Sequence, residues 1–308
     1  MFKLGVLGFS EGNGHPFSFA AIVNGFDDQA FGETGWPVIH NYLRRRSADD
    51  FGIDGLTVTH AWMPQRGMAR ALARGCRIGA VVETPDEMLS QVDAVLIARD
   101  DWESHLGLAR PFLEQGVAVF IDKPLTLAGE ELDWFLPYVR SGKLMSCAGL
   151  RYAVELDSVR NIPSDYGGIR SIRCAVTNDW ERYGVHMIDA IFTLTPARPI
   201  SVRRLEASTH EAYFMEMDDD SVLLVEPHGP VGPLFNVSVV GRSKASSHDL
   251  RDNFSSFRRL LQDFSRMLHT GEPPIPPRDV ELSIRTLMAG KAAAIGGPAI
   301  HIADFGRA

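Results

Sequence analysis

The hydrophobic residues of the first 124 positions fall in short, nearly continuous runs that alternate with longer stretches of helical spacing. Such runs predict strands buried on both faces of a parallel sheet. They lie at residues 4–8, 56–63, 78–82, 94–98 and 117–121. The stretches between them predict helices at residues 15–25, 64–74, 85–89 and 102–115. This alternation predicts right-handed crossovers and a doubly wound α/β domain, whose ligands lie beyond the carboxyl ends of the strands.

The pattern changes after Pro124. A helix at residues 129–139 and a strand at 144–148 are followed mainly by strand-like segments, at residues 169–177, 202–207, 212–217, 221–226 and 234–240. Further helices are predicted at residues 185–194, 254–269 and 280–295. Strands in series with helices on one side are typical of an α+β domain with a large, open, mainly antiparallel sheet. The sequence therefore predicts two domains, residues 1–124 and 125–308.

Residues 26–55 interrupt the alternation of the first domain. The segment is longer than a simple crossover requires, so we interpret it as an insertion with one short helix near residues 38–46. Its three consecutive arginines, at positions 44–46, are typical of a solvated helix end, and a phosphate clamp is the alternative interpretation.

The composition is that of an ordinary globular chain, and it narrows the class of partner. The 308 residues carry 31 Lys and Arg against 39 Asp and Glu, a formal net charge of −8. No basic tract could neutralise a run of phosphates, which argues against nucleic acid or an anionic membrane as the main partner. No apolar stretch approaches the length of about 18 residues that a membrane span needs. A small-molecule partner is therefore expected.

The three cysteines, Cys76, Cys147 and Cys174, are widely spaced and odd in number. Their spacing implies no disulfide framework and lacks the Cys/His pattern of zinc sites, so no metal site is predicted. The first residues also lack the apolar region of a signal peptide. We therefore expect a reducing, cytoplasmic location.

The turn after the first predicted strand is rich in glycine, with Gly8, Gly12 and Gly14. In a dinucleotide-binding domain this turn holds the pyrophosphate, because glycine lets the backbone approach and the next helix presents N–H groups. The spacing departs from G-x-G-x-x-G, since Ser10 and Asn13 occupy the second and third glycine positions. A loop that merely turns the chain is an equal alternative.

The end of the second strand is where NAD enzymes usually place an acidic residue and NADP enzymes often have an arginine nearby. This chain has Trp62 there, with Arg66 shortly after. Trp62 would stack on an adenosine and Arg66 would meet a 2′-phosphate. A core tryptophan beside a solvated arginine is the alternative.

Two further places offer chemistry. Asp122, Lys123 and Pro124 directly follow an apolar strand, so Lys123 is expected at the carboxyl edge of the sheet, where it can hydrogen-bond a substrate hydroxyl and a cofactor ribose. His186 and Asp189 share one face of a predicted helix, and histidine is the usual proton-transfer group near neutral pH. A simple turn and a structural histidine are the alternatives.

Together these motifs resemble the glucose-fructose oxidoreductase / inositol dehydrogenase / rhizopine-catabolism (Gfo/Idh/MocA) family. The resemblance covers nearly the whole chain and also rests on Arg151-Tyr152, residues 167–172 and the closing helix with its prolines. It implies a Rossmann domain that binds NAD or NADP and an oxidoreductase activity on sugars, nucleotide sugars or cyclic polyols. It also implies a homodimer or homotetramer assembled through the second sheet.

The resemblance assigns residues as well. Lys123 and His186 match the catalytic lysine and histidine of the family. Cofactor contacts are expected from the glycine turn, from Trp62 and from the loops after the later strands, at Gly8, Phe9, Ser10, Asn13, Gly14, Trp62, Ala98, Arg99, Asp100, His105, Asp122 and Lys123. Substrate contacts are expected from Arg151, Arg182, Tyr183 and Asp189.

Arg182 stands where the family often has an aspartate, four residues before the histidine. A cation at that position suits a carboxylate or phosphate on the substrate, as in a sugar acid or a nucleotide sugar. A second hypothesis is a non-catalytic relative that senses a nucleotide or a sugar. The altered glycine turn favours that hypothesis, and the retention of both Lys123 and His186 opposes it.

Overall fold

The computed structural model describes residues 1–305 and divides into two compact units. The first unit comprises Met1–Leu125, Trp134–Ser146 and Phe257–Pro277. The second comprises Thr126–Asp133, Cys147–Ser256 and the described residues from Arg278 onward. None of the helices in the described chain combines the length and the apolar character needed to cross a bilayer.

The first unit is built on a six-stranded parallel sheet. Its strands are β1 (Phe2–Leu7), β2 (Leu56–Trp62), β3 (Ala80–Val81), β4 (Ala94–Ile97), β5 (Ala118–Ile121) and β6 (Leu144–Ser146). Its helices are α1 (His15–Asn24), α2 (Asp28–Gly32), α3 (Pro37–Leu43), α4 (Arg66–Gly75) and α5 (His105–Glu114). The strand order is β3-β2-β1-β4-β5-β6. The chain adds β2 and β3 on one side of β1 and then β4, β5 and β6 on the other side. The loops after β1 and β4 therefore flank the switch point at which doubly wound sheets bind ligands.

The insertion at residues 26–55 contains two short helices. The helix predicted near residues 38–46 is confirmed as α3, and a 3₁₀ turn follows at Ala48–Asp50. Helix α2 was not predicted, because five residues are too few to show a helical period. Its start is fixed locally, since the Asp27 carboxylate accepts a hydrogen bond from the Ala30 N–H at 2.8 Å.

The second unit is built on a seven-stranded mixed sheet. Its strands are β7 (Ile169–Val176), β8 (Pro199–Arg204), β9 (Tyr213–Met217), β10 (Val222–Pro227), β11 (Phe235–Gly241), β12 (Ala245–Asp249) and β13 (Ile300–His301). The order is β12-β11-β7-β10-β9-β8-β13, in which β7 and β10 are parallel and the other neighbours are antiparallel. The predicted fold class, a doubly wound sheet followed by a mainly antiparallel sheet, is confirmed.

The remaining helices are α6 (Gly129–Arg140), α7 (Asp157–Asn161), α8 (Val185–Ile191), α9 (Asn253–Thr270) and α10 (Pro277–Ala292). In the core of the second unit, the indole of Trp180 stacks on Tyr213 at 4.0 Å between ring centroids. Its Nε1–H donates to the Leu287 carbonyl at 2.8 Å, so this large side chain is both packed and satisfied.

A single cut after residue 124 does not describe the division into units. Strand β6 pairs in parallel with β5 and completes the first sheet. Two phenylalanines of α9 also pack in the first unit. The ring centroids of Phe257 and Phe19 are 5.1 Å apart, and those of Phe264 and Phe120 are 6.0 Å apart. Because buried apolar contacts and strand pairing define a compact unit, these later segments belong with the first sheet.

Candidate functional site

Ser10 joins the turn after β1 to the loop after β4. Its hydroxyl donates to Asp100 Oδ1 at 2.5 Å and accepts the Asp100 backbone N–H at 3.0 Å. Both side chains are less than a tenth exposed. The residue that replaces the second glycine of the dinucleotide motif therefore anchors the turn at the topological switch point.

Asn13 makes the corresponding connection to the end of β5. Its side-chain amide donates to Asp122 Oδ2 at 3.0 Å, while its oxygen accepts the His15 backbone N–H at 2.8 Å. The His15 ring Nδ1 lies 2.5 Å from the same Asp122 oxygen. Burial alone would raise the pKa of Asp122, but the His15 ring, Lys123 and the Asn13 amide together hold that pKa below its ordinary value.

Lys123 is buried at the carboxyl end of β5, with 3% of its surface exposed. Its ammonium lies 3.6 Å from Asp100 Oδ2, and its backbone N–H donates to Asp122 Oδ1 at 2.9 Å. The Lys123–Pro124 peptide bond is cis. The structure thus brings together the predicted residues Ser10, Asn13, Asp100, Asp122 and Lys123 in one group joined by hydrogen bonds and an ion pair.

The glycine turn has an open side and a closed side. Gly12 has a φ of +80°, and among residues 1–305, apart from Gly12 and its two chain neighbours, no atom lies within 4 Å of the position that a Cβ would take there. A Cβ on Gly14 would lie 2.5 Å from Ile39 Cδ1 and 2.8 Å from Trp36 Cε3. The insertion therefore packs directly on the turn, and the backbone near Gly12 stays accessible to a ligand.

The first turn of α1 offers fewer donors to a phosphate than a standard dinucleotide motif. The His15 N–H donates to Asn13, and Pro16 has no N–H. A pyrophosphate would therefore be held by the open backbone near Gly12 and by the charge of Lys123 rather than by these first groups of the helix. The residues present fit a dinucleotide whose phosphates would be bound by these two groups and not by the start of α1.

Other predicted cofactor residues of the first unit are engaged by the protein itself. The Phe9 ring packs edge to face on Trp36 of the insertion, with 6.5 Å between ring centroids, and this contact adds to the packing of the insertion on the turn. The Trp62 indole donates to the Glu83 carbonyl at 3.0 Å, and Arg66 forms an ion pair with the Glu83 carboxylate. Both members of that ion pair are more than half exposed, so the pair is a weak constraint on Arg66.

The loop after β4 is held from within. The backbone N–H of Ala98 donates to the Leu7 carbonyl at 2.9 Å, and Arg99 Nε donates to Asp101 and Ser104 at 2.9 and 3.0 Å. Arg99 therefore folds back on its own loop.

His105 is fully buried and supports this loop. Its ring nitrogens lie 3.0 Å from the Leu125 carbonyl and 3.1 Å from the Arg99 carbonyl. Burial lowers the pKa of His105, so the ring is neutral at neutral pH and one nitrogen donates. These contacts join the loops that follow β4 and β5, and we assign His105 the positioning of those loops.

In the second unit, His186 lies in the first turn of α8, directly after a π-helical turn at Trp180–Gly184. The Asp179 carboxylate begins that turn by accepting the Arg182 N–H at 2.9 Å. The His186 ring lies 5.4 Å from the Tyr183 ring and 5.7 Å from the Phe235 ring, so aromatic contacts fix its position. Arg182 itself is exposed.

Asp189 is buried below His186 and accepts hydrogen bonds on both oxygens. The Ala148 N–H donates to Oδ2 at 2.7 Å, and the Ser283 hydroxyl donates to Oδ1 at 2.8 Å. Burial raises the pKa of Asp189 in spite of these bonds and of the nearby Arg151. Both oxygens thus hold α8 to Ala148 and Ser283, and the substrate contact expected of Asp189 stays a prediction.

Arg151 belongs to the same internal network. Its guanidinium lies 3.6 Å from Asp279 Oδ2 and donates to the Asp189 backbone carbonyl at 3.5 Å. Arg198 pairs with both oxygens of Asp279. Sequence reasoning missed Asp279, Arg198 and, in the first unit, His15, because their partners lie far away along the chain. The only local signal was the place of His15 at the start of the helix after the glycine turn.

Comparisons with known proteins agree with this architecture. Residues 32–145 match the Gfo/Idh/MocA family model, which is described as an oxidoreductase family with an NAD-binding Rossmann fold. The family resemblance predicted from the sequence is confirmed. Among curated protein sequences, none matches the chain.

Solved structures extend the similarity over the whole chain. Scyllo-inositol dehydrogenase from Lactobacillus casei, solved with NAD(H) and scyllo-inositol, is similar with a TM-score of 0.76 and 14% identity, over 99% of this chain and 100% of that chain. Myo-inositol dehydrogenase from the same organism, solved with NAD(H) and myo-inositol, gives 0.72 and 15% over 95% and 94%. The enzyme from Corynebacterium glutamicum gives 0.75 and 13% over 98% of both chains. At these identities the likeness concerns the fold.

Within the Gfo/Idh/MocA pattern, the two lost glycines have structural counterparts. Ser10 and Asn13 each hydrogen-bond a buried carboxylate, Asp100 and Asp122, which lie in the loops after β4 and β5. Where glycine would give the turn conformational freedom, Ser10 and Asn13 hold it by hydrogen bonds to the ends of the neighbouring strands. The turn remains ordered without the glycine motif.

Proposed function

We propose that this protein is an oxidoreductase that uses NAD or NADP to interconvert a hydroxyl and a carbonyl group on a sugar, a nucleotide sugar or a cyclic polyol. Lys123 carries the proposal, because its buried ammonium lies at the carboxyl end of β5 beside Asp100. A buried charge is costly unless it is paired, so such a lysine at a ligand-binding edge supports a chemical role. The family match and the inositol dehydrogenases named above support the same class of reaction.

The cofactor part of the proposal rests on the first unit. A nicotinamide supplies or accepts the hydride when it is bound. We expect the backbone near Gly12 and the Lys123 ammonium to hold the dinucleotide, and Arg66 is the cation placed to favour a 2′-phosphate.

The protein's own groups are proposed to handle the oxygen and its proton. An ammonium held by Asp100 stays in one place, and its hydrogen bonding to a hydroxyl or carbonyl oxygen would stabilise charge that develops there. We propose that His186 takes or returns the hydroxyl proton, as the family resemblance implies. The exposed Arg182 is proposed to bind a carboxylate or phosphate on the substrate.

Assembly and location are also proposals. We propose a homodimer or homotetramer that forms through the second sheet, in which Val240 of β11 is an apolar side chain with 44% of its surface exposed. A monomer in light scattering would contradict this assembly. We propose a cytoplasmic location, which the burial of all three cysteines supports.

The second candidate function is the sensing of a nucleotide or a sugar without turnover. The observation that favours it is the reduced donor set of α1, in which the His15 N–H is used by Asn13 and Pro16 lacks an N–H. Both candidates predict ligand binding, and only the enzyme predicts chemistry that depends on Lys123.

The first experiment is a titration of the purified protein with NADH and NADPH, followed by nicotinamide fluorescence and by thermal unfolding. We expect saturable binding of at least one nucleotide together with a rise in the melting temperature. Oxidation of NAD(P)H by a panel of neutral and anionic keto sugars then separates the enzyme from the sensor. A folded protein that binds neither nucleotide would overturn the proposed function.

A further inference from the structure

Two histidines and a glutamate converge in the second unit, and none of the three is among the site residues predicted from the sequence. One donor atom from each of His210, Glu226 and His228 lies within 4.8 Å of the other two. His210 lies in the connection between β8 and β9. Glu226 is the last residue but one of β10, and His228 directly follows that strand.

The backbone holds these three residues in register. The Glu211 N–H donates to the Pro227 carbonyl at 3.1 Å, which fixes the β8–β9 connection beside the end of β10. The His228 N–H donates to the Val176 carbonyl at 2.9 Å, which fixes the residues after β10 to β7. The side chains therefore project from a braced part of the fold, as a pre-formed site requires.

The His210 ring faces Glu226, and its proton can be on either nitrogen: Nε2–H donates to Glu226 directly, whereas Nδ1–H leaves the Nε2 lone pair for a cation between the two side chains. The ring Nε2 of His210 lies 3.3 Å from Glu226 Oε1, and its Nδ1 lies 3.0 Å from the Thr209 hydroxyl. When Nδ1–H donates to Thr209, the Nε2 lone pair faces a carboxylate lone pair. A proton or a metal cation relieves that repulsion, and a second partner on the other ring nitrogen is typical of metal-bound histidine.

His228 supplies a second imidazole. Its ring stacks on that of His210 with 4.4 Å between centroids and 13° between planes. One of its ring nitrogens lies within 4.8 Å of the donor atoms of His210 and Glu226. Two imidazoles and one carboxylate form a donor set that suits zinc and the neighbouring divalent transition metals.

Arg173 is the competing cation. Its Nε donates to Glu226 Oε2, and its Nη2 donates to Oε1 at 3.1 Å. The Arg173 side chain is 63% exposed, so it can turn into solvent when a metal ion binds Glu226, and this competition weakens metal binding.

We propose that His210, Glu226 and His228 bind one divalent transition-metal ion of the zinc type. Ligands of a tetrahedral zinc ion lie roughly 3.4 Å apart, so rotations of the side chains bring the three donor atoms to bonding distance. The bound ion ties the β8–β9 connection to the end of β10. Sequence analysis predicts no metal site, because it considers Cys/His spacing, and these three ligands are brought together by the pairing of β9 with β10 and by the backbone hydrogen bonds described above.

The test is a titration of the chelator-treated, tag-free protein with CoCl₂, followed by visible absorption, and with ZnCl₂, followed by calorimetry. We expect one ion per chain with micromolar affinity or better, and a rise in melting temperature with Zn²⁺. His210→Ala and His228→Ala should each weaken binding at least tenfold. His301→Ala, which removes an exposed histidine of β13, should leave binding unchanged.

Arg173→Ala is the variant that separates this site from nonspecific binding. Removal of the competing guanidinium should tighten Co²⁺ binding several-fold, whereas a chance surface site would not respond. The ligand variants must unfold at the wild-type temperature in the absence of metal, which shows that the fold is intact. No binding below millimolar Co²⁺, or equal binding by wild type, His210→Ala and His228→Ala, would overturn the proposal.

Discussion

The ammonium of Lys123 lies 3.6 Å from one carboxylate oxygen of Asp100, and the other oxygen of Asp100 accepts a 2.5 Å hydrogen bond from Ser10. Asp100 therefore couples the lysine to the turn after β1. A change in the turn is transmitted to the ammonium through a single buried side chain. This coupling gives the altered glycine turn a role in placing the residue proposed for chemistry.

Lys123→Met should reduce turnover by at least about 10²-fold and leave the affinity for NADH or NADPH within about tenfold. Methionine keeps the length of the side chain and lacks its charge and its N–H donors. Steady-state rates and fluorescence titration measure the two effects separately. Lys143→Met removes an exposed lysine of the same unit and should leave both unchanged. Turnover that survives the Lys123 substitution would contradict the assigned role.

Asp122→Asn should make the free energy of unfolding depend less on pH in the acid range. The folded-state pKa of Asp122 is held below its ordinary value of 3.8, so the ionised carboxylate stabilises the folded state above the ordinary pKa. That stabilisation is lost as the pH falls through the folded-state pKa. Urea unfolding should show wild type more stable than the variant by about 2 kcal/mol near neutral pH, with the difference shrinking in acid. A difference that is the same at pH 7 and in strong acid would argue against this role.

Gly14→Ala should destabilise the protein by about 2 kcal/mol through overpacking. The backbone of Gly14 has φ −89°, which alanine tolerates, so the cost comes from the Cβ meeting Ile39 and Trp36. Ile39→Val removes the closest atom, and Gly14→Ala should cost less in that background. Gly12→Ala, where the cost is only backbone strain at φ +80°, should lose about 1 kcal/mol. Strictly additive free energies of unfolding for the Gly14 and Ile39 changes would exclude the clash.

Arg182→Ala should raise KM for anionic sugars at least tenfold and change kcat less. The exposed guanidinium is proposed to bind a carboxylate or phosphate that does not react, so its loss removes binding energy shared by ground state and transition state. Neutral polyols should be unaffected. Arg170→Ala, a change at another exposed arginine of the second unit, serves as the control. If turnover of the true substrate does not respond to Arg182→Ala, the anionic substrate is wrong.

The strands of the first sheet were predictable because burial on both faces requires continuous apolar runs. β4 and β5 are fully buried along their length, and the sequence at both is uniformly apolar. β12 was not predictable, because Ala245–Asp249 is a polar strand at the edge of its sheet, and none of its residues is buried. β13 has two residues, which is too short for any periodic signal.

The position of Lys123 followed from the rule that ligands lie at strand ends, but its surroundings did not. Ser10 and Asp100 are 90 positions apart, and Asn13 and Asp122 are 109 apart. From the sequence, Ser10 and Asn13 were departures from the glycine motif and expected cofactor contacts, with no sign of their carboxylate partners. Hydrogen bonds between distant loops depend on the register of the folded sheet, which no local pattern records. The same limit applies to His105, whose burial has no sequence signal.

The return of Phe257–Pro277 to the first unit has a consequence for synthesis on the ribosome. A nascent chain that has emerged only as far as β5 lacks both the edge strand β6 and the phenylalanines that cover Phe19 and Phe120. Domains at the N-terminus usually fold as soon as they leave the exit tunnel. Here the aromatic core of the first unit stays incomplete until Phe264 has been added, so the early chain exposes an apolar surface that a holding chaperone would recognise.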